Sequence, residues 1–462
     1  MKYNSLKKLT LLYSIGSFTS KIFNFGLVFI LTYFYTKEEI GEYDIVMTVF
    51  TLGLPIISLQ LSDAVLRWVI EDKSSINLIS VFSNVLIIQL CNIAITGLFF
   101  CVVNYFFNYQ YFILLFTLIS LNSLLVFFQQ FLRGQKKNEI YILSSIVYSV
   151  IFSLIAVFGV VYFDFKINDL LLSNIFSSLL LILILFFVGD FSSFFNYRKI
   201  NLEFSKKLTL YSINLIPNAI SWWLIVSANR FVISYYLGNA SNGLFSIAFK
   251  FPTIIMLVIQ TFQLAWQEKA MDCYESKNRD EYFSSVLKKY IVVLLILSIV
   301  FLLFNKLLIR NLVSVNFYEA WKYTSILLLG VIFSSISSFI GSIFLSLKQT
   351  KSIFHSSFIG GLLSIIFSLI LIPEYGLYGA ALSLVIGFFV VMILRLNKVL
   401  KLTKIIVPYK LLLELFFLYL IIMKLEFIHF DFIFFIRIAI FSIYLVVRRK
   451  FFIQNFLVNY EK

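Results

Sequence analysis

Residues 208–272 read LTLYSINLIPNAISWWLIVSANRFVISYYLGNASNGLFSIAFKFPTIIMLVIQTFQLAWQEKAMD. The stretch predicts two long apolar helices, 208–236 and 242–267, joined by the turn Leu237-Gly238-Asn239-Ala240-Ser241. Each is longer than the roughly 20 residues that cross a bilayer core. Within them lie Asn214, Asn218, Ser221, Asn229, Arg230 and Lys250. An ionisable side chain in lipid costs about 3 kcal/mol or more, so it normally faces a bundle interior or a wet cavity. The stretch therefore predicts a membrane bundle and marks where its function is to be sought.

The whole chain agrees. Its 462 residues are 61% hydrophobic and only 13% charged, with mean hydropathy +0.95, whereas soluble domains run at about 45–50% apolar and about 25% charged. The expected fold class is an all-α polytopic membrane protein. Apolar runs predict fourteen spans, near 10–35, 41–66, 77–103, 109–132, 140–163, 169–189, 208–236, 242–267, 287–309, 321–346, 352–373, 376–396, 408–424 and 430–447. An even number puts both termini on one side. Of the 38 Lys and Arg residues, 28 fall on that side and six on the other. Four lie inside spans: Lys21, Arg230, Lys250 and Arg437. The positive-inside rule then makes both termini cytosolic and explains the net charge of +15 without a nucleic-acid partner. The basic N-terminus opens a retained first span, because polar residues interrupt its apolar run and no small-residue cleavage site follows.

Several function classes are excluded. Cys91, Cys101 and Cys273 are scattered, and His355 and His429 are the only histidines, so neither a disulfide framework nor a metal site is expected. GxxxxGK[ST], GxGxxG and HExxH are absent, no connection is long enough to fold a catalytic domain, and no cofactor is implied. A transporter, not an enzyme, is the expectation.

The chain divides into residues 1–190, a first set of six spans; 191–207, a cytosolic linker; 208–400, a second set of six; and 401–462, two additional helices with a basic tail. The two sets repeat. At a constant offset of 202, Tyr33, Phe34, Gly41, Tyr43 and Ile45 match Tyr235, Tyr236, Gly243, Phe245 and Ile247. Six spans separate the copies, so they have the same orientation, as in parallel-repeat transporters. Pro55 and Pro252 each interrupt a second helix and are kink candidates.

Polar stripes run along four helices. Ser14, Ser17, Lys21 and Asn24 share a face of span one, and Asp44, Thr48, Thr51, Pro55, Ser58 and Ser62 share one of span two. Span seven carries Trp223, Ser227 and Arg230 beside Asn214, Asn218, Ser221 and Asn229, and span eight adds Ser246, Lys250 and Thr253. Such stripes serve either as helix-packing glue or as the lining of a hydrated cavity between the halves. Three cations on them favour the cavity, with an anionic substrate supplying counter-charge and Asp44 able to pair with one cation. Ser334, Ser338, Gly341 and Ser342 read as packing, Trp68 and Trp266 as interfacial belt residues, Asp63 and Arg67 as a local ion pair, Arg437 as a snorkelling cation, and Glu414 as a weaker ion-site candidate.

NRFVISYYLGNASNGLFSIAFKF, residues 229–251, resembles the seventh-to-eighth-span region of polysaccharide flippases, the Wzx-type members of the multidrug/oligosaccharidyl-lipid/polysaccharide exporter superfamily. LIPEYGLYGAALS, residues 371–383, resembles their turn between spans eleven and twelve. The residue before the arginine is often acidic in that family; here it is Asn229. The resemblance implies two six-helix bundles in a V, as in multidrug and toxin extrusion (MATE) transporters, with spans thirteen and fourteen added. It also implies a bacterial inner-membrane flippase that moves undecaprenyl-pyrophosphate-linked oligosaccharide to the outer leaflet by alternating access. Polymerase and glycosyltransferases of the same pathway are the implied partners. Lys21, Arg230 and Lys250 would then bind the head group, with Asn24, Asn218 and Trp223 as further substrate-binding candidates, Trp223 either stacking on sugar or lipid or packing in the core, and Asp44 coupling transport to a proton or sodium gradient. A cation antiporter of the same fold and a lipid-linked peptidoglycan precursor flippase are the competing readings.

Overall fold

The structure, a computed structural model, describes residues 18–449 apart from 73, 275, 348 and 429–431. Ser14 and Ser17 of the first stripe, and His429, lie outside the described residues. The helices are α1 (Phe18–Leu31), α2 (Lys37–Ile57), α3 (Leu61–Glu71), α4 (Ser75–Phe107), α5 (Phe112–Gly134), α6 (Asn138–Phe163), α7 (Ile167–Val188) and the short α8 (Phe191–Phe194). They continue with α9 (Leu202–Ile213), α10 (Ile216–Val226), α11 (Asn229–Asp272), α12 (Arg279–Leu312), α13 (Trp321–Ser346), α14 (Thr350–Leu402), α15 (Tyr409–Glu426) and α16 (Ile433–Val447). Among the described residues nine helical stretches are long and apolar enough to cross a membrane, and two of these, Leu202–Asp272 and Lys351–Leu402, each carry two expected spans. The shorter α1, α15 and α16 complete the fourteen. Helices are what lipid permits, since each backbone group must be satisfied within its own segment.

Local chemistry sets the ends. Thr36 and Glu39 form a capping box at the start of α2, and Ser74 and Asn201 cap α4 and α9. Asn108 and Asp164 close α4 and α6 in left-handed geometry. Gly238 (φ 79°) and Gly376 (φ 57°) are the kinks that split α11 and α14 into paired spans, at a backbone angle other residues rarely adopt.

Two compact units emerge. The first runs to residue 234 and includes 238–243; the second comprises 235–237 and the chain from 244. The first unit extends past the linker at 191–207 because α9 packs on α3 and α4, and α10 on α2. Within it α5 is central, touching α2, α3, α4, α6 and α7. Phe82, Phe127, Phe131 and Phe191 interlock there, with ring centroids 5.0–5.4 Å from Phe82. Lys166, in the turn between α6 and α7, reaches Asp164 (3.2 Å) and Glu39 (3.7 Å). A hydrogen bond and charge from Asp164, then the charge of Glu39, raise its amino group above the ordinary lysine range.

In the second unit α13 is the core, 89% of its apolar window being buried. Its packing residues behave as expected: Gln263 donates to the Ser338 carbonyl and to Ser342 Oγ, both at 2.7 Å. Three side chains depart from expectation. Trp266 is not a belt residue; it is buried, stacked 4.3 Å from Phe339, and its indole donates to the Phe339 carbonyl. Arg437 does not snorkel; it is buried, donates to the Leu302 carbonyl and lies 4.0 Å from Glu426, which Asn305 also holds. Arg395, at the edge of its predicted span, turns inward and donates to Ser356 Oγ (3.0 Å), Ser357 Oγ (2.9 Å) and the Ser337 carbonyl (2.9 Å). Elsewhere Glu414 pairs with Arg448. In the first unit Arg67 pairs with Glu71 at 2.9 Å instead of Asp63, and its guanidinium lies over the Tyr211 ring.

The Arg395 arrangement gives a first prediction. Arg395→Lys keeps the charge but loses the planar fork, and a cost of about 2 kcal/mol follows from the acceptors left bare. The variant should melt lower in detergent than Lys398→Ala, whose side chain is exposed. Equal melting temperatures would show that these bonds do not hold α13 to α14.

Candidate functional site

The predicted span 208–236 is not one helix. It breaks after Ile213, restarts with Pro217 in the first turn of α10, and breaks again at Ser227–Ala228 before α11. Pro217 has no amide hydrogen to donate into a preceding turn, so a new helix starts there more readily than the old one continues. Span two also breaks: α2 ends beyond Pro55, Leu59 and Gln60 take positive φ, and Asn92 Nδ2 donates to the freed carbonyls of Ile56 (3.2 Å) and Ile57 (2.7 Å). Interrupted helices at membrane depth persist where they line a cavity or are buried in protein.

The residues beside these breaks converge within the first unit. Arg230 Nε lies 3.1 Å from Asp44 Oδ2, with both side chains largely buried. Arg230 Nη1 donates to Asn229 Oδ1 (2.9 Å). From the far side of the Gly238 kink, Asn242 Nδ2 donates to Asp44 Oδ2 (3.2 Å) and to the Gly41 carbonyl (2.9 Å). The Trp223 indole donates to the Thr48 carbonyl (3.1 Å), one turn along α2 from Asp44, and its ring lies 6.0 Å from that of Phe231. These contacts tie α2 to α10 and α11.

Not every atom of this cluster is satisfied. Asn229 Nδ2, Asn242 Oδ1 and Asn218 Oδ1 are buried without a hydrogen-bond partner among the described residues. The bonds to Arg230 and Asp44 fix which way the Asn229 and Asn242 amides point, so turning either amide over would break them. Such atoms cost free energy as they stand and gain most from a polar ligand.

Of the residues singled out from sequence, Asp44, Arg230 and Trp223 are brought together, and Asn218 stands at the start of α10. Lys21 is half-buried and Asn24 exposed on α1, while Lys250 is half-buried on α11 in the second unit. Asn242 was missed by the sequence reading. It is the first residue of the predicted helix 242–267, outside the polar stripes, and only the helix that restarts past the Gly238 kink turns it toward Asp44.

Residues 6–266 match the family described as polysaccharide biosynthesis protein. The chain belongs to that family. It is also 24% identical over 306 residues to an uncharacterized membrane protein of Methanocaldococcus jannaschii, a match covering 61% of this chain and 58% of that relative. Among solved structures, the lipid II flippase MurJ in an inward closed conformation superposes with TM-score 0.70 at 17% identity, over 96% of this chain and 99% of that one. An inward-facing MATE family transporter of the MOP superfamily gives TM-score 0.68 at 12% identity, over 81% and 92%. At these identities the structures establish the fold of this polysaccharide biosynthesis protein: that of flippase and MATE transporters.

The ion pair yields a second prediction. Removing one partner of a buried pair costs about 3–5 kcal/mol, because the other is left with uncompensated charge. Asp44→Asn and Arg230→Gln should each lower stability markedly. The double variant should be less destabilised than the sum of the singles, as read from a double-mutant cycle of unfolding in detergent. Simple additivity would mean that the two side chains are not energetically coupled.

Proposed function

We propose that this chain is a flippase that carries an undecaprenyl-pyrophosphate-linked oligosaccharide, the repeat unit of a surface polysaccharide, from the cytosolic to the outer leaflet by alternating access. The observation that carries this reading is Arg230: a buried guanidinium beside helix breaks, in contact with the Asp44 carboxylate and the Asn229 amide, among amides with hydrogen-bonding capacity to spare. A pyrophosphate presents several anionic oxygens and competes with the Asp44 carboxylate for such a cation. Lys21 and Lys250 are the further cations for the head group. Asn24 and Asn218 supply polar contacts to the glycan, and Trp223, whose N–H is already engaged by Thr48, keeps a ring face for stacking on sugar. Displaced from Arg230, the Asp44 carboxylate would take up a proton or a sodium ion, which couples substrate movement to an ion gradient.

Membership in a polysaccharide biosynthesis family supports a glycolipid substrate over organic cations, as does the excess of cations on the stripes. The charge distribution supports a cell membrane orientation with both termini cytosolic. The whole-length likeness to a lipid II flippase favours one alternative, a lipid-linked peptidoglycan precursor.

Lipid extracts of a deletion strain test the reading. Loss of surface polymer with accumulation of its complete lipid-linked repeat unit is expected; unchanged polymer with increased sensitivity to cationic drugs would transfer the chain to the antiporters. In the same strain Lys21→Ala should abolish surface polymer at unchanged protein level, and normal polymer from it would remove Lys21 from the binding site.

A further inference from the structure

Gly41 and Gly243 hold equivalent places in the two sequence repeats, 202 residues apart. In the first unit they meet. A Cβ on Gly41 would lie 1.8 Å from the Asn239 carbonyl oxygen and 2.9 Å from the Gly243 nitrogen. A Cβ on Gly243 would lie 2.0 Å from the Lys37 carbonyl oxygen and 2.9 Å from the Gly41 nitrogen. Lys37 and Asn239 are themselves 202 residues apart. The contact is therefore reciprocal: each helix presents the carbonyl one turn before its own glycine to the glycine of the other.

The contact differs in kind from those around it. Cβ atoms on Gly53, Gly97, Gly134 or Gly159 would meet first the side chains of Ile119, Phe116, Val69 and Phe165. Between Gly41 and Gly243 the opposing atoms are backbone, which cannot rotate aside. Small residues allow such close approach of membrane helices, and an approach made through main chain involves little side-chain interlocking. Two surfaces of this sort can part and re-form without repacking a core, as a reversible closure requires. The side-chain ties beside the crossing are polar: Asn242 to Gly41 and Asp44, and Asp44 to Arg230.

We infer that the Gly41–Gly243 crossing is the outer closure of the transport path, a reciprocal backbone contact that α2 and α11 break and remake in each cycle. The inference rests on the alternating-access reading and on the charge-based orientation, which puts the α1–α2 turn and the Gly238 kink outside; it is independent of the identity of the cargo. A side chain at either glycine holds the crossing open.

The test uses the full chain in whole cells, with Cys91, Cys101 and Cys273 changed to serine and Thr48→Cys as reporter. Thr48 is buried on α2 two turns beyond Gly41. Gly41→Ala and Gly243→Ala should each raise labelling of the reporter by a membrane-impermeant maleimide several-fold. Gly26→Ala, whose Cβ meets nothing within 4 Å, should leave it at the parent level. Parent-level labelling in both crossing variants overturns the inference. Should those variants fail to accumulate, Lys37→Cys with Asn239→Cys leaves the glycines intact: a disulfide between them should suppress reporter labelling and reduction should restore it, whereas labelling indifferent to the disulfide overturns the inference. Because labelling needs no polysaccharide, a deletion strain with normal surface polymer would defeat the proposed cargo while leaving the closure standing.

Discussion

A guanidinium inside a membrane protein must find negative charge or a full set of acceptors, and the arrangement around Arg230 follows from that demand. Its counter-charge, Asp44, comes from α2, a helix of the other sequence repeat. For the two to meet, span seven is interrupted twice, α11 starts at the arginine's own neighbour, and Asn242 returns from beyond Gly238 to occupy the same carboxylate oxygen. The helix breaks, the glycine crossing and the indole bond to Thr48 all lie along the seam this pair defines.

Three buried arginines show that burial alone does not mark a functional cation. Arg395 spends its guanidinium on two serine hydroxyls and the carbonyls of Ser337 and Ile353, so it acts as a clamp between α13 and α14. Arg437 and Glu426, with Asn305 and Lys306, fasten α15 and α16 to α12: Lys306 donates to the Glu426 carbonyl and lies 3.9 Å from the centre of the Trp321 ring. Unused polar atoms occur in both remaining clusters, Arg437 Nε, Glu426 Oε2 and Asn305 Oδ1 in one and Asn229 Nδ2 and Asn242 Oδ1 in the other; what sets Arg230 apart is its place beside the break between α10 and α11.

Much of this was legible in the residues. Lipid leaves a spanning chain little choice but helix, so hydropathy and the Lys/Arg distribution located the spans. Spacing of three and four put Asp44 with Thr48, and Trp223 with Arg230, on single faces, and the offset of 202 aligned Gly41 with Gly243. What periodicity could not supply was the identity of partners between helices. Arg395 lies at a predicted span end, where a loop cation and an inward-turned one look the same in sequence. Arg67 has acids four residues away in both directions, and only the fold selects Glu71. Trp266 shared the usual position of an interfacial tryptophan until Phe339 was found stacked on it. Asn242 was hidden because it opens a predicted span, and a partner on another helix cannot be read from spacing along its own.

The proposed coupling needs no separate device. Arg230 and Asp44 stabilise each other only while both are charged and close; whatever neutralises one alters the affinity of the other for its own ligand. An anion that captures Arg230 takes away the counter-charge of Asp44, and in this proposal a cation replaces it. A cation on Asp44 conversely releases Arg230 toward an anion. Thermodynamic reciprocity makes these two effects equal in magnitude. Because Asn242 ties Asp44 to the Gly41 carbonyl at the crossing, loss of the carboxylate's charge weakens the polar fastening beside the helix contact as well. Substrate binding, ion binding and the parting of α2 from α11 then draw on one set of contacts, so none of them can change without shifting the other two.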